Sequence, residues 1–434
     1  MITATDLFCG AGGSSLGAEA AGVTLRLAAN HWHRAIEVHQ QNFPDAAHDI
    51  ADISQVDPRR YPATDILLAS PSCTNHSLAK GVSRKAQSAS LWDAPDPAAD
   101  RSRATMWDVP RFAEQHHYSA VVVENVVEAS KWVMFPAWWQ AMELLGYKGR
   151  VLSHNSQDHG VAQSRDRIYI VWTRDGIRAD LEMERTAHCP TCDKARPVRQ
   201  AWKPGRTIGR YRAQWTWQCV ECHTNCEPNK TPAAEIIDWS LDCPRIGDRA
   251  RPLAEKTRRR IAEGIDRYRH VLFNTAHGGR FSEVTKPHPT VCATDDRQSL
   301  IAPPLLMRNN NTKGPQGHLC TPVTEPARTL TTAGHQSLLL PYYGQSQAQP
   351  VNVPIGTQTT RDTHGLINAE QAVDDCGFRM LEPYEVAAAM AFPDHYIPRD
   401  LPKKDQVKLA GNAVTPPVMQ WITGRIVQAL EAAA

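Results

Sequence analysis

The 434-residue chain lacks an apolar run long enough to cross a membrane, for which about 20 residues are needed. It also lacks a basic and apolar leader, because its N-terminus leads directly into Asp6-Leu7-Phe8. Neither a membrane protein nor an exported protein is therefore predicted. We expect a cytoplasmic protein that has no membrane partner.

A strong excess of charge of one sign is absent as well. The 48 Lys and Arg nearly balance the 46 Asp and Glu, so the net charge is +2 and a uniformly basic nucleic-acid coat protein is excluded. The charge is nevertheless uneven, since the segment 194–212 contains seven Lys or Arg and no acid, and 256–269 is again mostly basic. Such stretches bind phosphate groups or form solvated faces, and the sequence leaves both interpretations open.

The number of cysteines is odd, at eleven, and no export signal accompanies them, which argues against a disulfide framework. Two Cys-x-x-Cys pairs, Cys189 with Cys192 and Cys219 with Cys222, are separated by 26 residues. Four thiolates at this spacing suit a structural zinc ion in tetrahedral coordination. We predict a zinc site there, with a set of reduced thiols as the alternative and Cys226 as a substitute ligand.

Short apolar segments alternate with helix-like segments over the first part of the chain, which is typical of a doubly wound α/β fold with a mostly parallel sheet. The predicted strands are 5–8, 65–69, 120–123, 149–152 and 167–172, and the predicted helices are 15–21, 34–42 and 135–145. After about residue 185 the alternation gives way to cysteine pairs, Pro, Gly and short Thr-rich strands. The predicted divisions are a first domain over 1–185, a Cys-rich insert over 186–230, a second, smaller β-rich domain over 231–370 and a segment over 371–434 that rejoins the first domain.

A glycine-rich turn and a cysteine follow two of the predicted strands. The segment 6–13 places glycines where a strand turns into a helix, which lets the backbone approach a ligand closely. Cys73 follows the strand 65–69, at the carboxyl end where α/β sheets carry their chemistry. Taken alone, the turn equally suits another nucleotide or phosphate loop, and a lone cysteine is more often a buried thiol.

Two charged motifs lie downstream. Glu124 and Asn125 end a strand of valines, so both side chains are expected at the same sheet edge as Cys73. Arg165 and Arg167 are two residues apart on an extended segment, so their side chains point the same way and can clamp an oxygen-rich group. Helix capping by the glutamate and a surface salt bridge of the arginines are the structural alternatives.

Taken in order, these segments resemble the DNA cytosine-5 methyltransferase family. The family pattern runs DxFxGxGG, PC, ENV, QxRxR, a variable target-recognition domain, RxLxxxE followed by FP, and GNxVxP. The chain matches the later motifs with Arg379, Leu381 and Glu385, and with the segments 392–393 and 411–416. The resemblance therefore covers both ends of the chain and implies a methyltransferase that depends on S-adenosylmethionine.

The resemblance also implies the roles of the domains. Residues 1–185 and 371–434 together form a Rossmann-like catalytic domain, and 231–370 form the target-recognition domain. Most members of the family lack the insert 186–230, so no role for it follows, and its contact with DNA stays open.

Catalytic roles follow from the same resemblance. Cys73 is expected to attack C6 of a flipped-out cytosine, which makes C5 reactive toward a methyl donor. Glu124 is expected to hold N3 of the base, while Arg165 and Arg167 contact O2. Asn125 is expected to brace the loop that carries Cys73.

Nine residues are expected to bind S-adenosylmethionine. They are Phe8, Gly10, Gly12, Gly13, Trp32, Asp52, Ile53, Asn412 and Val414. The chain departs from the family where Pro-Ser-Cys-Thr replaces Pro-Pro-Cys-Gln over 71–74, and where His31 replaces an acid for the ribose hydroxyls. Either Glu37 or a backbone group substitutes for that acid, or the donor is a modified sulfonium compound.

The sequence thus predicts a DNA (cytosine-5-)-methyltransferase that acts on a specific duplex sequence, in restriction-modification, phage or epigenetic methylation. A tRNA cytosine-5 methyltransferase is one alternative, disfavoured because the long second domain suits duplex DNA. An inactive DNA-binding homologue is the other, disfavoured because Cys73, Glu124, Arg165 and Arg167 are all present. Double-stranded DNA and a cognate restriction endonuclease are the expected partners, and we expect a monomer.

Overall fold

The computed structural model describes residues 1–71, 105–268, 271–274, 280–283, 298–301, 304–309, 317–329, 336–340 and 373–433. The predicted nucleophile Cys73 lies outside the described residues. The chain forms two compact units, one made of 1–231 with 331–333 and 386–434, the other of 232–330 with 334–385.

The first unit is built on a seven-stranded sheet. Its strands are β1 (Thr3–Leu7), β2 (Thr24–Asn30), β3 (Ala47–Ile50), β4 (Ile66–Ala69), β5 (Ala120–Asn125), β6 (Tyr147–Asn155) and, after a short β7 (Gln163–Ser164), β8 (Asp166–Arg174). The strand order is β3-β2-β1-β4-β5-β8-β6. Strands β1 to β5 pair in parallel, whereas β8 pairs antiparallel with both β5 and β6. The predicted mostly parallel α/β sheet is therefore confirmed.

Between β1 and β6, the described residues form the helices α1 (Gly13–Ala20), α2 (His33–Asn42), α3 (Asp108–His116) and α4 (Phe135–Leu144). All six residues of β5 are buried, which explains its run of valines, since a central strand of this kind is covered on both faces. Helix α3 is an element that the sequence pattern did not predict. Its residues Phe112 and Ala113 follow Val109 by three and four positions and form one buried face with it, although Pro110 and Arg111 separate them in sequence.

The insert forms a separate antiparallel sheet within the first unit. Its strands are β9 (Arg185–Cys189), β10 (Lys194–Trp202) and β11 (Trp215–Cys219), in the order β11-β10-β9. Trp215 and Trp217 lie two apart on β11, so both point to the same face, and both are fully buried. They pack with Val198 and several cysteines into a small core that belongs to the insert.

The second unit is rich in β-structure. It contains α5 (Glu255–Tyr268) and the strands β12 (Val271–Asn274), β13 (Arg280–Glu283), β14 (Gln298–Ile301), β15 (Leu305–Arg308), β16 (Cys320–Pro322), β17 (Ala327–Arg328), β18 (Gln336–Leu340) and β19 (Gly377–Met380). Three of them form the sheet β13-β12-β14, and four form the sheet β16-β15-β18-β19. Since β19 pairs with β18, the chain returns to the first unit only from Val386, later than the boundary at residue 371 that the sequence suggested.

Two residues of the RxLxxxE motif form a buried ion pair in this second unit. Both terminal nitrogens of Arg379 lie 2.7 Å from the carboxylate oxygens of Glu385. The same carboxylate accepts hydrogen bonds from the backbone N–H groups of Asp238 and Glu382, both at 2.7 Å. The charge of Glu385 is therefore fully compensated, as a buried carboxylate requires.

The chain ends in three helices: α6 (Pro383–Ala389), which spans the boundary between the units, then α7 (Lys403–Asn412) and α8 (Pro416–Ala433). Helix α8 packs against α1 at Gly17, where a Cβ atom would lie 2.5 Å from the carbonyl oxygen of Pro416. Only glycine allows so close an approach. Every helix in the described part of the chain is too short or too polar to cross a lipid bilayer.

Candidate active site and metal site

Several predicted site residues lie along one edge of the seven-stranded sheet. Because β1 to β5 are parallel, their carboxyl ends meet at this edge, where α/β sheets bind ligands. The residues that follow or end these strands are Phe8, Trp32, Asp52, Pro71, Glu124 and Asn125.

Asn125 connects the end of β5 to the segment after β4. Its Nδ2 donates a hydrogen bond to the carbonyl oxygen of Pro71 at 3.3 Å, and its Oδ1 accepts one from the backbone N–H of Val126 at 2.8 Å. Pro71 is the last described residue before the segment that contains Cys73. Asn125 therefore holds the chain two residues before the predicted nucleophile.

Glu124 and Arg167 form an ion pair at the same edge. The Nε atom of Arg167 lies 3.0 Å from Oε1 of Glu124, and the two side chains are only 13% and 10% exposed. Neighbouring antiparallel strands bring them together, since Glu124 on β5 is paired with Tyr169 on β8. A carboxylate beside a guanidinium can hold adjacent donor and acceptor atoms of a heterocyclic base.

Arg165 has different partners from Arg167. Its Nη1 and Nη2 atoms donate to the carbonyl oxygens of Gly411 at 3.3 Å and Ala413 at 3.1 Å. Its side chain is buried, and these carbonyls belong to the C-terminal GNxVxP motif. Arg165 thus contacts the C-terminal motif, whereas Arg167 pairs with Glu124. Arg165 connects two motifs that are more than 240 residues apart in sequence.

The turn after β1 adopts left-handed backbone at three positions. Phe8 has a φ of 61°, Gly10 of 55° and Gly12 of 93°. Such a conformation at a non-glycine residue costs about 1–3 kcal/mol, and it is concentrated at ligand sites. A Cβ atom on Gly10 would have no heavy atom of the described residues within 4 Å. The turn therefore has an open face at Gly10, against which a cofactor can lie.

The next two motif glycines face protein rather than open space. A Cβ atom on Gly12 would lie 2.7 Å from the hydroxyl of Tyr396, and one on Gly13 would lie 2.0 Å from the carbonyl oxygen of Val414. Val414 is buried, whereas Asn412 is exposed. Packing against the protein is therefore enough to require glycine at both positions, whether or not a ligand binds.

The three other predicted cofactor residues lie after β2 and β3. Lys408 places its Nζ atom 3.8 Å from the ring centroid of Trp32, a cation–π contact. Asp52 is exposed, and its carboxylate accepts a hydrogen bond from the backbone N–H of Ser54 at 3.2 Å. Ile53 is buried in the core of the first unit. Glu37, the proposed substitute for the ribose acid, is paired with Arg34 at 2.8 Å.

Asp6, on β1 just before the glycine-rich turn, is a residue to which the sequence assigned no role. It is fully buried, and its Oδ2 accepts hydrogen bonds from the hydroxyls of Ser14 and Ser15 at 2.5 and 2.7 Å. Burial raises the pKa of Asp6 to about 6. These hydrogen bonds connect β1 to the first turn of α1, so Asp6 fixes the geometry of the glycine-rich turn. Its place at the start of the DxFxGxGG pattern was the available signal.

The insert is attached beside the catalytic motifs, which its sequence did not indicate. Arg210 Nη2 lies 2.8 Å from Oε1 of Glu128, which follows β5. The backbone N–H of Tyr211 donates to Oδ1 of Asp166, at 2.9 Å, and Asp166 lies between the two motif arginines. The insert therefore contacts both the ENV segment and the QxRxR segment.

The four cysteines of the two Cys-x-x-Cys pairs meet at one end of the insert. The Sγ atoms of Cys189, Cys192, Cys219 and Cys222 all lie within 4.8 Å of one another. A zinc ion with bonds of about 2.3 Å to four tetrahedral sulfurs places those sulfurs about 3.8 Å apart, so the four thiols fit that geometry. Cys226 is buried in the same small core but does not belong to this set of four.

Comparisons with known proteins find related methylases. A type II methylase, M.HgiEI of Herpetosiphon aurantiacus, is 32% identical over 184 residues, which cover 41% of this chain and 38% of the relative. M.AgeI of Thalassovita gelatinovora is 29% identical over 188 residues, which cover 40% of each protein. The chain thus matches about two fifths of the length of these relatives.

A solved structure shows the same fold over a longer stretch. The crystal structure of a mutant of Spodoptera frugiperda DNMT2 aligns with a TM-score of 0.55 and 14% identity, covering 98% of this chain and 100% of that one. The family model for C-5 cytosine-specific DNA methylases matches residues 2–428. Because this match includes nearly the whole chain, the protein belongs to the C-5 cytosine-specific DNA methylase family.

Proposed function

We propose that the protein transfers a methyl group from S-adenosylmethionine to C5 of a flipped-out cytosine in a specific sequence of duplex DNA. The observation that carries this proposal is the Glu124–Arg167 pair beside Asn125, whose amide reaches Pro71 two residues before Cys73. With Cys73 two residues beyond Pro71 in sequence, the proposed nucleophile follows the strand next to the one that carries Glu124, as the chemistry would require.

Cys73 is the proposed nucleophile, and its thiolate would bond to C6 of the base. After the methyl group has moved to C5, a base would remove the C5 proton, and elimination would break the C6–S bond and free the Cys73 thiolate. Glu124 would hold N3 and share its proton, which stabilises the negative charge that develops in the ring during attack. Arg167 would contact O2 while its Nε remains on Glu124, so the two side chains keep each other in place. Arg165 would act indirectly by holding the GNxVxP segment through its carbonyl groups.

The open face of the glycine-rich turn is the proposed cofactor site. Gly10 lets a ligand lie against the backbone, while Phe8, Trp32, Asp52 and Asn412 would contact its ring and polar groups. S-adenosylmethionine supplies an electrophilic methyl group when it is bound there. Gly12, Gly13 and Val414 would then shape the site by packing against protein, with Ile53 supporting it from the core.

The second unit and the insert complete the proposal. We infer that the second unit reads the target sequence, and that Cys189, Cys192, Cys219 and Cys222 hold a structural zinc ion. The ion would stabilise the insert and take no part in methyl transfer. Restriction-modification is the proposed setting, as for the type II relatives.

Transfer of tritium from labelled cofactor to duplex DNA, tRNA and heat-denatured DNA tests the function. Incorporation into duplex DNA at cytosines located by bisulfite sequencing is expected. Cys73→Ser should abolish it, and Cys243→Ser, which alters a buried thiol of the second unit, should not. Labelling of tRNA alone would replace the proposal with a tRNA methyltransferase, and labelling of none would favour an inactive homologue.

A further inference from the structure

The basic stretch of the insert contains seven cations, of which three are neutralised within the protein. Arg196, Arg210 and Arg212 lie 2.8 Å from the carboxylates of Glu221, Glu128 and Glu227. For the other four cations, Lys194, Arg199, Lys203 and Arg206, no carboxylate of the described chain lies within ion-pair distance. The positive charge that no carboxylate compensates is therefore carried by these four residues.

Two of these four cations occupy an exposed turn between β10 and β11. Residues 203–207 are all exposed, and the backbone N–H of Arg206 donates to the carbonyl oxygen of Lys203 at 3.0 Å. Gly205, with a φ of 69°, allows the chain to reverse there. The turn thus exposes two cations, three residues apart in sequence, to solvent.

The turn is anchored to the sheet on both sides. The side-chain amide of Gln200 donates to the carbonyl oxygen of Ser153 at 2.9 Å, and the backbone N–H of Gly209 donates to the Ser153 hydroxyl at 3.2 Å. Lys203 and Arg206 are each three residues from one of these anchors, so their Cα atoms lie within about 11 Å of an anchored residue.

Ser153 in turn has a fixed relation to the candidate active site. It is paired with Ile168 on β8, and Ile168 is paired with Asn125 on β5. Two strand spacings place Ser153 about 10 Å from Asn125. By way of Gly209, its hydrogen bond to Ser153 and the two strand spacings, the Cα atom of Arg206 therefore lies within about 28 Å of Asn125. A DNA duplex carries about sixteen phosphate charges over that length.

We propose that Lys203 and Arg206 form a phosphate clamp that binds the backbone of duplex DNA beside the flipped base. This inference rests on the proposed function, because it needs a duplex at the sheet edge. The clamp carries no sequence information, since it contacts phosphates, and it sets the affinity and register of the duplex. It gives the insert a role in substrate binding in addition to its zinc site.

The test measures the affinity of the full chain for an unmethylated duplex as a function of salt. Replacing both cations in the double variant Lys203→Ala/Arg206→Ala should make the negative slope of log K against log salt shallower by about 1.8, since each phosphate contact contributes about −0.9. The affinity lost between 50 and 200 mM salt then becomes about 12-fold smaller than for the parent. The KM for DNA should rise while kcat at saturating DNA stays at the parent value.

Two further variants make the outcome specific. Lys203→Arg/Arg206→Lys keeps both charges and should retain the parent slope. Arg26→Ala/Arg60→Ala removes the same charge from exposed residues near the amino end of β2 and before β4, at the opposite edge of the sheet, and should also retain the parent slope. An unchanged slope for the turn variant, or an equal loss for the opposite-edge variant, would overturn the clamp.

Failure of the clamp is distinguishable from failure of the proposed function. If the parent methylates duplex DNA and the turn variant keeps the parent slope, only the clamp is wrong. If the parent transfers no methyl group to DNA, the proposed function fails whatever the slope. A slope that changes with tRNA and not with duplex DNA would reassign the turn to RNA binding and contradict the proposal.

Discussion

The carbonyl oxygen of Val414 lies 2.0 Å from the point where a Cβ atom on Gly13 would stand. The glycine-rich turn at the start of the chain and the GNxVxP motif near its end are thus in direct contact. Tyr396 packs against the same turn at Gly12, so residues from both ends of the chain contribute to this packing. Motifs separated by some 400 residues in sequence therefore pack directly against each other.

Gly13→Ala should destabilise the first unit by about 1–3 kcal/mol, because the added methyl group must displace the backbone of Val414. Urea unfolding measures the change. Gly424→Ala is the matched control, since its Cβ would meet only the Cβ of Ala21, at 4.0 Å in ordinary contact. That substitution should be neutral or stabilise α8 by up to about 1 kcal/mol. Equal effects of the two substitutions would contradict the close approach at Gly13.

Glu124→Gln should lower the rate of methyl transfer by about 10²- to 10⁴-fold, the range for loss of a general acid–base group. The amide keeps the size of the side chain and loses the charge that pairs with Arg167. Single-turnover transfer to duplex DNA at saturating cofactor is the measurement. Glu128→Gln is the control, because Glu128 is equally buried and pairs with Arg210. A similar loss in both variants would indicate a structural role for Glu124.

Cys222→Ser should abolish zinc binding, measured as bound metal per chain after dialysis. Structural zinc contributes about 10–16 kcal/mol of apparent binding energy in small domains, so the insert should lose its fold. Trp215 and Trp217 are fully buried in the insert, and their fluorescence should shift to longer wavelength as they meet water. Cys226→Ser is the control, since Cys226 is buried in the same core outside the set of four. Retention of one metal ion by the Cys222 variant would remove that residue from the ligand set.

Asp158 should make stability depend on pH. Burial raises the pKa of this carboxyl to about 7. The hydrogen bond that it accepts from Trp217 Nε1 at 3.1 Å acts in the opposite direction and lowers the pKa. The folded protein therefore binds more protons than the unfolded chain between about pH 4 and 7, and stability falls as pH rises through that window by up to about 1.4 kcal/mol per unit. Above about pH 7 the contribution of Asp158 to the free energy of unfolding no longer changes with pH.

Asp158→Asn should remove this dependence, because the amide is neutral at every pH. The variant should gain stability relative to the parent when urea unfolding is measured near pH 8 instead of near pH 5. A difference between parent and variant that stays constant over this range would show that Asp158 is already ionised in the folded protein at low pH.

Much of the architecture followed from local pattern. Alternating apolar segments predicted the parallel sheet, because strands and crossover helices each bury one periodic face. The positions of Glu124 and Asn125 were predictable for a related reason, since residues that end parallel strands share an edge. Helix α3 was missed because its apolar pattern is only five residues long and contains Pro110 and Arg111. The late return of the chain at Val386 was missed because strand pairing is not local.

What the sequence determined by itself was the order of the motifs, the family resemblance and the cysteine spacing that suits one metal ion. Those features depend on residue identity and on separations of a few residues. The tertiary structure alone decided that Arg165 and Arg167 have different partners, that Gly13 contacts Val414, and that the insert is anchored at Ser153 beside the site. Such contacts join residues tens to hundreds of positions apart, and they arise only when the whole sheet has brought its edges together.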